Sequence, residues 1–294
     1  MPGRRAEKRV YRPPRCWTIG KALACTAEES YRPKKRENAV TAVNSFLRWV
    51  GGKSGLCDRI VSLIPDHTCY VETCCGGAWV FFRKDRESSR SEVLNDIDGD
   101  LVNLYQVLQR QGRKLLREVD CLPYSRAVFL RLFDSEPRSP MARAVRYLYV
   151  NRVSFGGKMV DRSFGVKVTG RVNVLQNWLR DDPDVLVDRL RGVILESMDL
   201  VDLVDRYDRP QTFFFVDPPY YGLSQPYAGQ FKDIDHARVA ARLKNLKGKV
   251  LISYNDCPEV RALYRGLTLR EVTTRYSIER NETSQAKELF ITNF

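Results

Sequence analysis

The sequence predicts an α/β fold, an open and mostly parallel sheet dressed with helices, and three stretches of its 294 residues carry that prediction. Thr212-Phe213-Phe214-Phe215-Val216 is a run of apolar or β-branched residues without polar alternation, the pattern of a strand buried on both faces. Cys69-Tyr70-Val71-Glu72 runs into the glycine turn Thr73-Cys74-Cys75-Gly76-Gly77-Ala78, and Trp79-Val80-Phe81-Phe82 begins a return helix. Glu92-Val93-Leu94-Asn95-Asp96-Ile97-Asp98 then adds a second short strand that ends in acids. The apolar share, 43%, is enough for a real core, and the length fits one large domain or one domain with a sizeable insertion.

The formal net charge is +13, from 49 basic and 36 acidic residues. An enzyme of small neutral metabolites has no need of that excess. A polyanion partner does, because phosphate neutralisation supplies most non-specific affinity for nucleic acid. A merely soluble basic protein is the other reading. The cysteines form no C-x-x-C pair and the only histidines are His67 and His236, so zinc-finger spacing is absent and no metal is expected. Met1-Pro2-Gly3-Arg4-Arg5 lacks the apolar run of a signal peptide, and no later run is long enough to span a bilayer. The expectation is a cytoplasmic protein with free thiols and no membrane partner.

Residues 1–40 hold eleven basic and four acidic residues and prolines that break any long element, so they read as a flexible basic tail. A mobile arm on DNA and an extension without a role both fit it. Organisation begins near Asn44. Phe46-Leu47-Arg48-Trp49-Val50-Gly51-Gly52-Lys53 is an apolar approach, a glycine turn and one lysine. It is not a phosphate loop, because Leu47 stands where that loop needs its first glycine. Leu56, Ile60 and Leu63 recur at helical spacing, and Pro65 closes that helix.

Asp96 stands about twenty residues past the glycine turn, the spacing at which an acid meets ribose hydroxyls in a nucleotide-binding βαβ unit. Capping of the next helix, which shows Leu101, Leu104, Tyr105 and Leu108 on one face, is a further role open to Asp96 and Asp98. Residues 109–190 break the βαβ rhythm and read as mostly helical. Within them, Asn151-Arg152-Val153-Ser154-Phe155-Gly156-Gly157-Lys158-Met159 mixes an amide, cations and an aromatic, and Arg162, Lys167 and Arg171 follow. Such a loop suits DNA contact through Asn151, Arg152, Phe155 and Lys158, and it would also suit an ordinary exposed hairpin.

The sheet resumes with a third strand over 193–199 and the 212–216 strand. Residues 222–235 are polar and aromatic and read as a lid or a DNA-facing loop. A helix from 236 to about 246, a strand over 249–256, a short helix over 260–264 and closing strands over 267–276 and 288–292, the last two an antiparallel pair, complete the reading.

The chemistry centres on Asp217-Pro218-Pro219-Tyr220, which follows the apolar strand with no spacer. The prolines stop the strand at its C-terminal edge, where open parallel sheets bind ligands. An exocyclic amine is a poor nucleophile because its lone pair is delocalised into the ring. Asp217 can accept one of its N–H groups and the Pro218 carbonyl the other, both bonds strengthening as charge builds on nitrogen. Tyr220 can stack on the base. Cytosine C5 chemistry needs a cysteine nucleophile, usually in a Pro-Cys pair, and none occurs; Cys257 precedes Pro258 instead.

On these motifs the chain resembles the D12 class of N6-adenine DNA methyltransferases, the Dam-like α group with its phage-type members, over roughly residues 44–294. Five blocks stand in the family's order. Trp49-Val50-Gly51-Gly52-Lys53 is similar to its N-terminal cofactor motif, 70–82 to its glycine motif, Asn95-Asp96-Ile97-Asp98 to its acidic motif, Asn151-Arg152 with Phe155-Gly156 to part of its target-recognition region, and Asp217-Pro218-Pro219-Tyr220 to its catalytic motif. The resemblance implies a Rossmann-like S-adenosylmethionine-dependent methyltransferase sheet over 41–108 and 191–294, with a mostly helical target-recognition insertion over 109–190. It implies S-adenosyl-L-methionine as methyl donor, held by Trp49, Gly52, Lys53, Glu72, Gly76, Asp96 and Asp217, and no metal. Asp217, Pro218, Pro219 and Tyr220 would be catalytic on an adenine flipped out of double-stranded DNA. A monomer is expected, and a cognate restriction endonuclease is left open as a second partner.

Two departures stand in the glycine motif, which in the family reads F-x-G-x-G. Here those positions are Cys74, Gly76 and Ala78, with Gly77 beside Ala78 as a partial compensation. Loss of the aromatic removes about 1–2 kcal/mol of apolar packing beside the cofactor, roughly ten-fold in affinity. Cytosine N4, an RNA base or a protein glutamine share the carboxylate–proline–aromatic logic. A DNA-binding relative without turnover is the non-enzymatic alternative.

Overall fold

The computed structural model describes residues 43–166, 183–222, 236–276 and 284–294. Its strands are β1 (Cys69–Glu72), β2 (Ser91–Asn95), β3 (Ile194–Glu196), β4 (Thr212–Val216), β5 (Lys249–Asn255), β6 (Thr268–Tyr276) and β7 (Ser284–Thr292). They form a seven-stranded sheet in the order β3-β2-β1-β4-β5-β7-β6. β1 to β5 are parallel, and β7 runs antiparallel to both β5 and β6. This is a Rossmann-like methyltransferase sheet, with the expected antiparallel pair at its end. The chain winds from β1 outward to β3, then returns to β4 beside β1. The crevice between the C-terminal ends of β1 and β4 is therefore the switch point at which such sheets bind ligands.

The helices are α1 (Cys57–Val61), α2 (Trp79–Arg83), α3 (Gly99–Asp120), α4 (Arg126–Phe133), α5 (Pro140–Val153), α6 (Pro183–Leu190), α7 (Leu200–Tyr207), α8 (His236–Lys244) and α9 (Pro258–Leu263). They divide between the two faces of the sheet. Tyr70, Phe213 and Phe215 pack into a cluster with residues of α1 to α6. Val71, Phe214 and Val216 face α7, α8 and α9. Alternation along β4 thus sends its aromatic rings to both sides, and all five of its residues are buried. Each phenylalanine there stabilises the fold by about 2 kcal/mol.

Local signals set the helix starts. Asp98 caps α3 by accepting from the N–H groups of Asp100 (2.9 Å) and Leu101 (3.2 Å). Ser139 caps α5 ahead of Pro140. Asp199 caps α7, accepting from Val201 and Asp202. That cap explains a difference from the sequence reading: the strand expected over 193–199 ends at Glu196, and α7, unread in the sequence, begins four residues later at Leu200. Within 109–190 the described helices share the core of the sheet; Phe129, Leu132 and Leu148 lie in the same buried cluster as Tyr70 and Phe213. α3 crosses the expected boundary at 108 and kinks at Gln111 (φ −138°, ψ 33°).

Residues 1–40, Lys167, Arg171 and the loop after Gly222, on which the sequence carried expectations, lie outside the described residues. Six cysteines lie within them, all free thiols. Among the described residues no helix is long and apolar enough to cross a membrane.

Candidate active site

The C-terminal ends of β1, β2 and β4 bring three carboxylates together: Glu72, Asp96 and Asp217. Burial makes each costly to ionise. It pushes Asp96 and Asp217 up to about 6, and Glu72 up to about 8. Glu72 Oε2 accepts from the Tyr70 hydroxyl (2.8 Å) and the Phe81 N–H (3.1 Å), which ties the end of β1 to the first turn of α2. Asp96 Oδ2 accepts from the Gly76 N–H at 2.9 Å, and its Oδ1 from the Asp98 N–H at 3.0 Å. The two acids after β2 have therefore divided the roles open to them: Asp98 caps α3, and Asp96 faces the glycine turn.

That turn needs its glycine. Gly76 has φ +47°, and a Cβ there would lie 2.4 Å from Nε1 of Trp49. Trp49 thus lies directly against the turn. Ser45 donates its hydroxyl to the Gly77 carbonyl, and Tyr105 donates to the Gly76 carbonyl at 2.8 Å. Gly77 does not compensate for Ala78, because the two left-handed residues of the turn are Gly76 and Ala78 itself, at φ 49° and ψ 39°. Ala78 occupies a conformation that costs a residue with a Cβ about 1–2 kcal/mol. Cys74 is half-buried and packs with the residues under α7 to α9.

Lys53 closes the cleft from the N-terminal side. It is 4% exposed, and its ammonium lies 2.7 Å from Asp217 Oδ1, 3.0 Å from the Gly51 carbonyl and 5.0 Å from the centroid of the Tyr220 ring. Pro218 is buried and Pro219 half-buried. Tyr220 stacks on Tyr254 with centroids 5.9 Å apart and planes at 26°. Asn255 holds the following residue by its backbone, donating to the Tyr221 carbonyl and accepting from its N–H, both at 3.1 Å.

The expected DNA-facing residues separate. Asn151 is 1% exposed and its amide bridges the backbone of Arg48, accepting from the N–H at 3.0 Å and donating to the carbonyl at 2.7 Å. Arg152 donates to the Phe46 carbonyl at 3.0 Å, and burial lowers its guanidinium to about 10. Both differ from the expectation of exposed base contacts. They anchor the strip that carries Trp49, because α5 ends against it. Phe155 is 61% exposed, and Lys158 is half-buried.

Several site residues escaped the sequence reading. Asn95 donates to the carbonyls of Thr73 (2.8 Å) and Met198 (3.1 Å) and accepts from the Met198 N–H (2.8 Å), pinning two loops at the switch point. Ser253 and Glu288, both buried, meet at 2.8 Å beside Tyr220. Period-two alternation could have found Glu288, an acid in step with the buried Phe290 on β7.

The set suits S-adenosylmethionine. Near neutral pH, with Glu72 held protonated by burial, the carboxylates of Asp96 and Asp217 face the one ammonium of Lys53, which leaves the cleft short of a positive charge that a sulfonium brings. The acid beside the glycine turn and the indole of Trp49 offer a ribose-type acceptor and an apolar wall. Among the described residues, no group of three or more His, Cys, Asp or Glu side chains is placed to hold a metal ion.

The family model described as D12 class N6 adenine-specific DNA methyltransferase matches residues 49–278. A DNA adenine methylase of Vibrio cholerae is 26% identical over 260 residues, covering 83% of this chain and 92% of that protein. A DNA adenine methylase of Haemophilus influenzae is 25% identical over 288 residues, covering 88% and 94%. The Type II methyltransferase M.CviBI of Paramecium bursaria Chlorella virus NC1A is 23% identical over 235 residues, covering 79% and 90%. With Asp217-Pro218-Pro219-Tyr220 at the switch point and a family match over most of its length, this chain belongs to the D12 class N6 adenine-specific DNA methyltransferases.

Proposed function

We propose that the protein methylates N6 of an adenine flipped out of double-stranded DNA, with S-adenosyl-L-methionine as donor. One observation carries the reading: Asp217 already holds a buried ammonium at 2.7 Å, and that ammonium lies over the Tyr220 ring. The end of β4 accepts a nitrogen bearing hydrogens and positive charge, which is what an attacking amine becomes.

When bound, S-adenosylmethionine supplies an electrophilic methyl on a sulfonium. Trp49, Gly52, Lys53 and Gly76 would hold it, together with the acids Glu72, Asp96 and Asp217. The chain's own part is orientation and charge. Tyr220 offers a face on which the flipped base stacks. Asp217 accepts one N–H of the amine and the Pro218 carbonyl the other, which favours the charged, tetrahedral nitrogen over the planar one. Pro219 stiffens the turn that fixes both acceptors.

Residues 109–190 are read as the target-recognition part, with Phe155 as an exposed ring able to stack on a base. A monomer suffices for an asymmetric or hemimethylated target, and a scattering mass near that of two chains would overturn that. A cognate restriction endonuclease would be sought among proteins that cut the same site unmethylated.

The test is methyl transfer from labelled S-adenosylmethionine to unmethylated genomic DNA, with nucleoside analysis and Asp217→Ala alongside. N6-methyladenine from the wild type and none from the variant is the expected result. N4-methylcytosine would keep the mechanism and overturn the base. No product from folded protein would overturn the activity.

A further inference from the structure

A fourth carboxylate lies near the end of β4, carried by β7, two strands away in the sheet. Glu288 lies on β7, paired with Asn255 of β5, and is 1% exposed. Ser253, fully buried on β5, donates its hydroxyl to Glu288 Oε2 at 2.8 Å. The Tyr220 phenol faces this pair. Burial first, then the charges of Asp217 and Glu288, hold that phenol well above its ordinary range and so in the neutral form, able to donate. A buried carboxylate is costly unless hydrogen-bonding groups meet it, and here the Ser253 hydroxyl does so at 2.8 Å with the Tyr220 phenol beside the pair. The ring is thus held in two ways, by stacking on Tyr254 and by the Lys53 ammonium near its centroid, and its hydroxyl lies beside the Ser253–Glu288 pair.

We propose that Glu288 is a positioning residue for methyl transfer: with Ser253 it seats the Tyr220 hydroxyl and thereby fixes the ring on which the target base stacks. The inference rests on the methyltransferase reading above. Without the seat the ring turns about its χ angles, and the amine loses its alignment with Asp217 and the donor. Cofactor binding changes little, because Glu288 lies on β7 while the cofactor residues other than Asp217 lie on β1, on the turn and acids after β1 and β2, and on the N-terminal strip.

Glu288→Gln keeps the shape and one acceptor, Glu288→Ala removes the seat, and Tyr220→Phe removes the group that is seated. Glu288→Ala should lower kcat about 10- to 100-fold, the scale of a misplaced reactant, with Glu288→Gln between it and the wild type. The Kd for S-adenosylmethionine should stay within about three-fold. The double variant Glu288→Gln/Tyr220→Phe should be no worse than its poorer single parent, because both break one contact. Additive losses, or a wild-type kcat in folded Glu288→Gln, overturn the proposal while leaving the methyltransferase reading standing. A second readout needs no turnover. In protein labelled with 13C at the tyrosine Cζ, the Tyr220 signal, assigned through Tyr220→Phe, should move in Glu288→Gln. An unmoved signal overturns the seat even if the wild type transfers no methyl group.

Discussion

Lys53 and Asp217 face each other at 2.7 Å across the cleft, joining the glycine turn of the N-terminal motif to the end of β4. The two residues are 164 positions apart in sequence. Burial raises the Asp217 carboxyl to about 6, and Lys53 is the largest influence opposing that rise, while Glu288 adds to it. The pair therefore decides over what pH range the carboxylate at the end of β4 is ionised.

A pH profile reads this directly. Protonated Asp217 cannot accept the amine N–H, so kcat/KM should rise through a limb near pH 6 and level off above it. Lys53→Met removes the attraction that opposes burial, so the limb should move to higher pH, beyond any loss of cofactor affinity. A limb in the same place in both proteins would mean that Asp217 does not control it.

Glu72 couples the cleft to stability. Burial raises it to about 8 against 4.5 for an ordinary glutamate, so the folded chain retains a proton that the unfolded chain releases between those values. The stability tied to this proton is complete below pH 4.5 and declines as pH rises to about 8. Glu72→Gln keeps an acceptor for Tyr70 and Phe81 and cannot ionise. Its melting temperature should gain on the wild type as pH rises from 5.5 towards about 8. Parallel melting curves across that range would count against a buried, protonated Glu72.

The glycine turn separates two substitutions that look alike on paper. Gly76→Ala puts a Cβ 2.4 Å from the Trp49 indole at φ +47°, so it should destabilise by about 2 kcal/mol or more and displace Trp49, seen as a shift in tryptophan emission. Ala78→Gly relieves a left-handed alanine and loses one buried methyl, two effects of about 1 kcal/mol each and opposite sign. Urea melts should place it within about 1 kcal/mol of the wild type. A large loss from Ala78→Gly would mean that the methyl packs against more than the turn.

Beneath the same sheet, Glu92 is held by Arg189 at 2.6 Å and by Lys84 at 2.8 Å, all three buried, with the guanidinium 3.6 Å from the centre of the Phe81 ring. Arg189 belongs to α6 and Glu92 to β2, so the pair fastens the end of residues 109–190 to the sheet. Arg189→Met leaves Glu92 with one cation fewer and should cost about 3–5 kcal/mol. The double variant with Glu92→Leu should recover part of that loss, and failure to recover would assign the cost to packing alone.

What the sequence disclosed follows from what burial does to composition. β4 was legible because a strand buried on both faces has no polar positions, and the two prolines mark where its ladder stops. The acids after β2 were legible by spacing, and their division of labour only in three dimensions: Asp96 and Asp98 differ in direction and not in chemistry. α7 was missed because it follows β3 with no glycine or proline between them, only the capping Asp199. The Arg189–Glu92 pair went unread, Glu92 standing only as the first residue of a strand, since no local pattern tells a buried ion from a solvated one. Asn151 failed for a related reason: a polar loop residue signals that it will be hydrogen-bonded and does not reveal whether its partner is DNA or its own backbone.

That last ambiguity gives the sharpest contrast between two neighbours. Asn151 has both amide atoms on Arg48, so Asn151→Ala should cost about 2 kcal/mol for two buried hydrogen bonds and loosen the strip that carries Trp49. Its effect should appear as lower thermal stability and weaker S-adenosylmethionine binding, with the salt dependence of DNA binding unchanged, because no phosphate contact is lost. Phe155, 61% exposed, is held by little of the fold, so Phe155→Ala should leave stability within about 0.5 kcal/mol. It should weaken binding to DNA carrying the modified site by about 1–3 kcal/mol, the worth of one stacked base. Thermal melts and DNA titrations on the two variants would show opposite patterns. Loss of DNA affinity in Asn151→Ala without loss of stability would return that residue to the DNA interface and leave the Arg48 strip to be held by Arg152 alone.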